Sequence, residues 1–241
     1  MKLEDATILV VDDEEDLREI LSAWLERSGS RVLTGANGVE ALKLLETEKV
    51  DALVSDIRMP IMGGVELVRT IYDMKLTIPS IIFVSGFGDM EPREMFGLGV
   101  EALMDKPLSR KELLRVLEAS LMESEQHWLT PSAEPMAQSL TMEIESLEGA
   151  MRTCQFQLGR GGCCFTSTHP LTEEKTVNLS IQFAKEGLSL RSQGKVRWFD
   201  DQTGQSGVSF DYLEPECREW VIGAMREGSK RSFIPQCRAC P

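Results

Sequence analysis

Five polar residues stand where short apolar runs end. Asp12 and Asp13 follow Thr7–Val11, Asp56 follows Asp51–Ser55, Ser85 follows Ser80–Val84, and Lys106 comes just beyond Glu101–Met104. If those runs are parallel strands of one open sheet, all five residues share the edge at the carboxyl ends of the strands, where ligands of such sheets bind. Three carboxylates brought together repel one another unless a cation neutralises them. An all-oxygen ligand set favours a hard ion, and Mg²⁺ typically takes carboxylates, waters and an incoming phosphate together. A carboxylate is also a nucleophile able to form an aspartyl-phosphate. The Ser85 hydroxyl and the Lys106 ammonium would then position and neutralise the remaining phosphoryl oxygens. Any one of these acids alone reads equally well as a solvated loop residue. All five on one edge, with Pro107 directly after the lysine, point to phosphoryl transfer.

The elements that must position them follow from periodicity. A fifth apolar run, Arg31–Thr34, is shorter than the others. Leu17, Ile20, Leu21, Trp24 and Leu25 line one helical face. Ser109 and Glu112 form a capping box opening a helix that carries Leu113, Leu114, Leu117 and Leu121. Apolar runs alternating with helical segments predict an α/β domain over residues 1–122, a five-stranded doubly wound parallel sheet covered on both faces. Residues 123–137, with Thr130-Pro131-Ser132-Ala133-Glu134-Pro135, read as a linker. Beyond it the period changes to two: Val177, Leu179, Ile181 and Phe183 alternate with Asn178, Ser180 and Gln182. Further strands fit Leu140–Ile144, Lys195–Phe199 and Gly207–Phe210, and a helix begins near Pro215. A second domain over 138–228, mostly antiparallel β with a closing helix, and a flexible tail over 229–241 complete the expected layout.

The charge balance narrows the function classes. The 241 residues hold 26 Lys plus Arg against 39 Asp plus Glu, a formal charge of −13. Up to Met122 there are 14 basic and 23 acidic residues, and beyond it 12 and 16. Both halves are acidic, so no general phosphate-neutralising surface for nucleic acid is expected. Apolar runs of a few residues fall far short of the roughly 20 needed to span a membrane. Met1–Asp5 turns acidic before any signal-peptide core could form. Six cysteines in this length make no disulfide framework. A soluble, cytoplasmic protein without membrane insertion is expected.

Residues 5–122 resemble the response-regulator receiver family. The resemblance rests on Val10-Val11-Asp12-Asp13-Glu14, Asp56-Ile57-Arg58-Met59-Pro60-Ile61-Met62-Gly63-Gly64, Val84-Ser85-Gly86 and Asp105-Lys106-Pro107. It implies a flavodoxin-like fold with Asp56 as phospho-acceptor. It also implies that Asp12, Asp13, Asp56 and the Arg58 backbone carbonyl organise Mg²⁺, that Ser85 is the switch hydroxyl, and that Lys106 contacts the phosphoryl group before a cis Pro107. Leu103 stands where the family usually has Tyr or Phe, so that family's aromatic rotamer switch is not implied here.

The second half, from Leu140 to about Arg226, resembles a PilZ domain, a small β-barrel with a C-terminal helix. The shared features are Gly161-Gly162, Gly194-Lys195-Val196-Arg197-Trp198 and Gly204–Phe210 ahead of the closing helix. PilZ domains that bind cyclic di-GMP use an RxxxR pair and a (D/N)xSxxG turn. Here Gln157–Gly162 keeps only the last glycine, and no Arg or Lys lies between Arg115 and Arg152. Cyclic di-GMP binding in the usual manner is not expected, and Arg160 and Arg197 read as solvated strand residues. Cys237 and Cys240 supply two ligands where structural zinc wants four. His127 and His169 are isolated. One of Cys163 and Cys164 should face the core, and Trp198 and Trp220 should pack.

No Gly-rich phosphate loop, His pair or nucleophile elbow supports a catalytic output. The expectation is a bacterial two-component response regulator, not an enzyme. A histidine kinase or phosphotransfer protein would phosphorylate Asp56, and the PilZ-like domain would act on an unknown downstream protein. The alternatives are a dual-input regulator that also binds cyclic di-GMP, and a transcriptional regulator.

Overall fold

The computed structural model describes residues 1–86, 91–121, 128–129, 138–167, 169–227 and 233–235. The chain divides into two compact units, Met1–Glu91 with Val100–Glu123, and Pro92–Gly99 with Ser124–Pro241.

In the first unit, β1 (Thr7–Val11), β2 (Arg31–Gly35), β3 (Ala52–Asp56), β4 (Ser80–Ser85) and β5 (Ala102–Asp105) form one parallel sheet in the order β2-β1-β3-β4-β5. All five residues of β3 are buried, as a central parallel strand requires. Helices α1 (Glu15–Glu26), α2 (Gly38–Thr47), α3 (Gly64–Asp73) and α5 (Arg110–Leu121) belong to this unit. Ile8, Val10, Val54, Ile82 and Val84 share a core with Leu21 and Leu25 of α1 and with Leu113, Leu117 and Leu121 of α5. The alternate strand residues Leu9, Leu53 and Phe83 are equally buried, as are Leu67, Val68 and Ile71 of α3. Asn37 starts α2 by accepting from the amides of Val39 and Glu40. The register fixes the functional edge: Val11 lies level with Ser55, Asp56 with Val84, and Ser85 with Asp105.

The second unit contains β6 (Gln138–Ile144), α6 (Leu147–Arg152), β7 (Phe156–Leu158), β8 (Gly162–Thr166), β9 (Thr176–Phe183), β10 (Leu188–Asp200), β11 (Gln205–Leu213) and α7 (Pro215–Glu227). The sheet order is β6-β9-β10-β11-β8-β7. Among the described residues four of the five pairings, β9–β10, β10–β11, β11–β8 and β8–β7, are antiparallel as expected, but the expectation of a barrel needs correction. β6 pairs with β9 in parallel, and among the described residues β6 and β7 are opposite edges of an open, mixed sheet. The cause is connectivity: α6, β7 and β8 intervene between β6 and β9, a crossover long enough to bring the chain back in the same direction. Phe156, Phe165, Phe183, Leu190, Val196, Val208 and Val221 centre the core, and Phe183 meets Phe156 and Trp220 edge-on at 5.1 and 5.9 Å.

Four details differ from the sequence expectation. Cys163 and Cys164 are both fully buried, because β8 lies inside the sheet and is covered on each face. Trp128, placed in the linker by composition, is buried in this unit's core and donates from Nε1 to the Phe210 carbonyl at 3.1 Å. Ile234, placed in the flexible tail, is fully buried, and the Gly161 amide donates to the Phe233 carbonyl at 3.0 Å. Finally, α4 (Pro92–Leu98) groups with this second unit, with the Phe96 and Phe233 ring centroids 6.1 Å apart. No helix of the described residues is long and apolar enough to cross a membrane.

Two glycines give opposite expectations. A Cβ on Gly207 would sit 2.1 Å from the Trp198 indole, whereas one on Gly223 in α7 meets nothing within 4 Å. Gly207→Ala should lose about 1–3 kcal/mol through overpacking. Gly223→Ala should be neutral or gain up to about 1 kcal/mol through helix propensity. Urea denaturation of the full chain, followed by tryptophan emission, separates the two.

Candidate functional site

The site grows from the ends of β1, β3, β4 and β5. The Asp12 amide donates to the Gly35 carbonyl at 3.3 Å, extending the β1–β2 pairing by one residue and drawing Asp12 below the surface. Its Oδ1 accepts from the Glu14 amide at 2.9 Å, and its carbonyl accepts from Arg18 Nη1 at 2.6 Å. Burial pushes the Asp12 carboxyl above the ordinary carboxylate range; the Glu14 amide and Lys106 pull the other way without cancelling it. Asp56 is also buried, and its Oδ1 accepts from the Arg58 amide at 3.1 Å. Asp13 is exposed, and the carboxylates of Asp12, Asp13 and Asp56 each bring an oxygen within 4.8 Å of the others.

Lys106 joins these groups. Its amide donates to the Ser85 carbonyl at 2.9 Å, tying the end of β5 to the end of β4, and the Lys106–Pro107 peptide is cis, as the resemblance implied. Its Nζ donates to Asp56 Oδ2 at 2.7 Å and to Asp12 Oδ2 and Glu14 Oε1 at 3.1 Å each. Burial disfavours the ammonium, but hydrogen bonds to Asp56, Glu14 and Asp12 outweigh it and raise the lysine well above its usual range. Buried Ser85 donates from Oγ to the Gly86 carbonyl at 2.7 Å.

The β3–α3 turn depends on two successive glycines. A Cβ on Gly64 would lie 2.4 Å from the Asp56 carbonyl oxygen, and one on Gly63 would lie 2.7 Å from that of Ile57. Only glycine lets α3 begin this close to the strand that carries Asp56. Leu103 is half-buried in β5, level with Phe83.

Asp12, Asp13, Asp56 and Lys106 therefore come together as their strand-end positions implied, with Ser85 bonded through its carbonyl to Lys106. Arg58 contributes its amide to Asp56. Sequence reasoning missed Glu14. It belongs to the acidic run after β1, but nothing in such a run tells which member turns back toward a lysine 92 positions away. In the second unit, Arg197 donates from Nε to Ser209 Oγ at 2.9 Å, and Arg160 donates from Nη2 to the Gly99 carbonyl at 2.7 Å. His127, Cys237 and Cys240 lie outside the described residues.

Residues 8–118 match the response regulator receiver domain family. The chain is 38% identical over 142 residues to the alkaline phosphatase synthesis transcriptional regulatory protein PhoP of Bacillus subtilis, covering 59% of this chain and 55% of that protein. It is 36% identical over 107 residues to the response regulator SaeR of Staphylococcus epidermidis, covering 44% and 46%. The chain thus spans about half the length of these curated relatives. Among solved structures, the response regulator protein TrrA of Thermotoga maritima, in complex with Mg²⁺-BeF, is 29% identical and covers 48% of this chain and all of that one, with a TM-score of 0.43.

Removing the cation exposes what it does. Lys106→Met leaves Asp12 and Asp56 buried side by side without a counter-charge, at an expected cost of about 1–3 kcal/mol. Millimolar Mg²⁺ should restore more stability to this variant than to the wild type if the converging oxygens of Asp12, Asp13 and Asp56 take a divalent ion in place of the ammonium. Thermal unfolding with and without the metal, compared between the two proteins, checks this.

Proposed function

We propose that this chain, whose residues 8–118 match the response regulator receiver domain family, is a cytoplasmic two-component response regulator phosphorylated on Asp56 by a histidine kinase or phosphotransfer protein. The observation that carries this reading is the Lys106 ammonium 2.7 Å from Asp56 inside a cluster of carboxylates. In the proposed step an Asp56 oxygen forms a bond to phosphorus as the P–N bond to the donor's imidazole breaks. Lys106 offsets the charge on the phosphoryl oxygens. The Ser85 hydroxyl exchanges the Gly86 carbonyl for one of those oxygens.

The donor set suits a hard divalent cation, because Asp12, Asp13 and Asp56 converge oxygen ligands and no sulfur or imidazole joins them among the described residues. Asp12, Asp13, Asp56 and the Arg58 carbonyl would hold Mg²⁺. Bound there, it would neutralise the acidic cluster and the incoming phosphate.

For the second unit we propose a PilZ-like output module that works by protein contact rather than catalysis. Supporting this are the glycine positions quoted above, the run of antiparallel strands from β9 to β7, and the closing helix α7. Arg197 is engaged by Ser209 and, at 3.7 Å, by Glu174. The arginines that a cyclic dinucleotide would recruit thus already have partners inside the unit. The competing reading is a transcriptional regulator, as the name of the Bacillus relative says of that protein; the acidic balance beyond Met122 weighs against it here.

Three measurements decide between these readings. With a small phosphodonor and Mg²⁺, intact-mass analysis should show one added phosphoryl group in the wild type and none in Asp56→Asn; labelling of the variant, or labelling without divalent metal, refutes the assignment. Titration calorimetry of the full chain with cyclic di-GMP should give no saturable binding below about 10 μM, equivalent to roughly −7 kcal/mol, and the protein should pass a heparin column at moderate salt. Tight cyclic di-GMP binding lost in Arg160→Ala would establish the dual-input alternative, and heparin retention the transcriptional one.

A further inference from the structure

We propose that Glu14 is a positioning residue for Lys106: its carboxylate holds the ammonium at the mouth of the acidic cluster in the resting site and keeps that hold when Asp12 and Asp56 become committed to other bonds. The inference rests on the phosphoryl-transfer reading of this site for its consequence, and on the observed contacts for its substance.

Three carboxylates share the Lys106 ammonium, and two of them are wanted elsewhere. Asp56 Oδ2, at 2.7 Å, belongs to the group that would carry the phosphoryl, and Asp12 Oδ2, at 3.1 Å, belongs to the oxygen cluster. Glu14 Oε1, also at 3.1 Å, stands outside that cluster, on a side chain two-thirds exposed. It therefore keeps its hold on the lysine while the other two partners change.

The local backbone supports the same assignment. Glu14 is the residue preceding α1, where a side chain can cap the free amides of the first turn, and it makes no such bond. Its amide instead donates to Asp12 Oδ1 at 2.9 Å while its carboxylate reaches Lys106. Asp12, Glu14 and Lys106 thus close a ring of hydrogen bonds, in which the start of α1 and the end of β5 fix each other. Its carbonyl accepts from the Arg18 amide at 3.0 Å, so the first helical turn anchors the ring's third member. A lysine side chain has several rotatable bonds and loses much conformational freedom when fixed. An anchor outside the cluster preserves that fixation when the inner contacts are replaced.

The test reads Lys106 directly and needs no phosphorylation. In competitive acylation of the full chain by acetic anhydride with peptide mapping, Lys106 should be modified about threefold to tenfold faster in Glu14→Gln than in wild type, with Glu14→Asp in between and Glu15→Gln unchanged. Unchanged Lys106 reactivity in Glu14→Gln overturns the proposal, and so does an equal rise in Glu15→Gln. A second arm measures the rate of Asp56 phosphorylation from a small phosphodonor at saturating Mg²⁺. Glu14→Gln should slow it by a similar factor, and the same substitution in a Lys106→Met background should change it less than twofold. A slowing that persists without Lys106 would mean that Glu14 acts only through its charge, and would overturn the positioning role. A wild type that takes up no phosphoryl group refutes the phosphoryl-transfer reading, and the acylation arm then decides alone.

Discussion

A single ammonium holds the acidic edge of the first unit together. Like charges about 4 Å apart repel by roughly 4 kcal/mol at an effective dielectric near 20, a large share of the 5–15 kcal/mol that keeps an ordinary domain folded. Asp12 and Asp56 are both buried, so solvent relieves little of that repulsion. Lys106 answers it with three contacts of 3.1 Å or less. Yet the Asp12 carboxyl still lies above its ordinary range, because burial outweighs what the lysine and the Glu14 amide give back. Around Lys106 the carboxylates of Asp12, Glu14 and Asp56 outnumber the one ammonium. On the phosphoryl-transfer reading proposed above, a hard cation bound by Asp12, Asp13 and Asp56 would offset the remaining negative charge.

Everything else in the unit serves to make this crowding unavoidable. The strands are parallel and in register, so their carboxyl ends finish level and deliver Asp12, Asp56, Ser85 and Lys106 to one edge. The core residues of β1, β3 and β4, packed against α1 and α5, resist any slippage that would relieve the charges. Gly64 removes the last freedom: with α3 seated against the Asp56 carbonyl, the end of β3 has nowhere to retreat. Folding energy distributed over the sheet thereby sustains a local arrangement that its own charges oppose, as functional sites commonly require.

Much of this arrangement is legible in the sequence. A buried parallel strand writes itself as an apolar run, so β1, β3 and β4 were found together with the polar residues that terminate them. The second unit was harder, for identifiable reasons. β7 spans only Phe156–Leu158, too short for a period of two to show. The parallel pairing of β6 with β9 depends on where the chain returns after a long crossover, which alternation within a strand does not encode. Trp128 and Ile234 sit among linker-like and tail-like residues, and their burial is decided by partners such as Phe210 that lie far away in sequence. Glu14 was invisible for the same reason. Its neighbours in sequence are acids, and its partner is brought close only by the fold.

The two units use charge in opposite ways, and that contrast bears on how a signal could be expressed. In the first, carboxylates outnumber the cation at their centre. In the second, cations of the sheet are taken by the unit's own groups: Arg197 by Ser209 and Glu174, Lys195 by Glu174 at 2.7 Å, and Arg191 by Glu214 at 3.6 Å. Surface pairs of this kind add little stability, but each one cancels positive potential that a nucleic acid or cyclic dinucleotide would have to find. What remains on the outward face of β9 and β10 is a mixed polar surface of Asn178, Ser180, Gln193 and paired charges. Such a surface lacks the strong single-sign field that recruits phosphates. On the protein-contact reading proposed above, such a surface would be matched through individual hydrogen-bonding groups, with the acidic site receiving the phosphate and the sheet presenting the response.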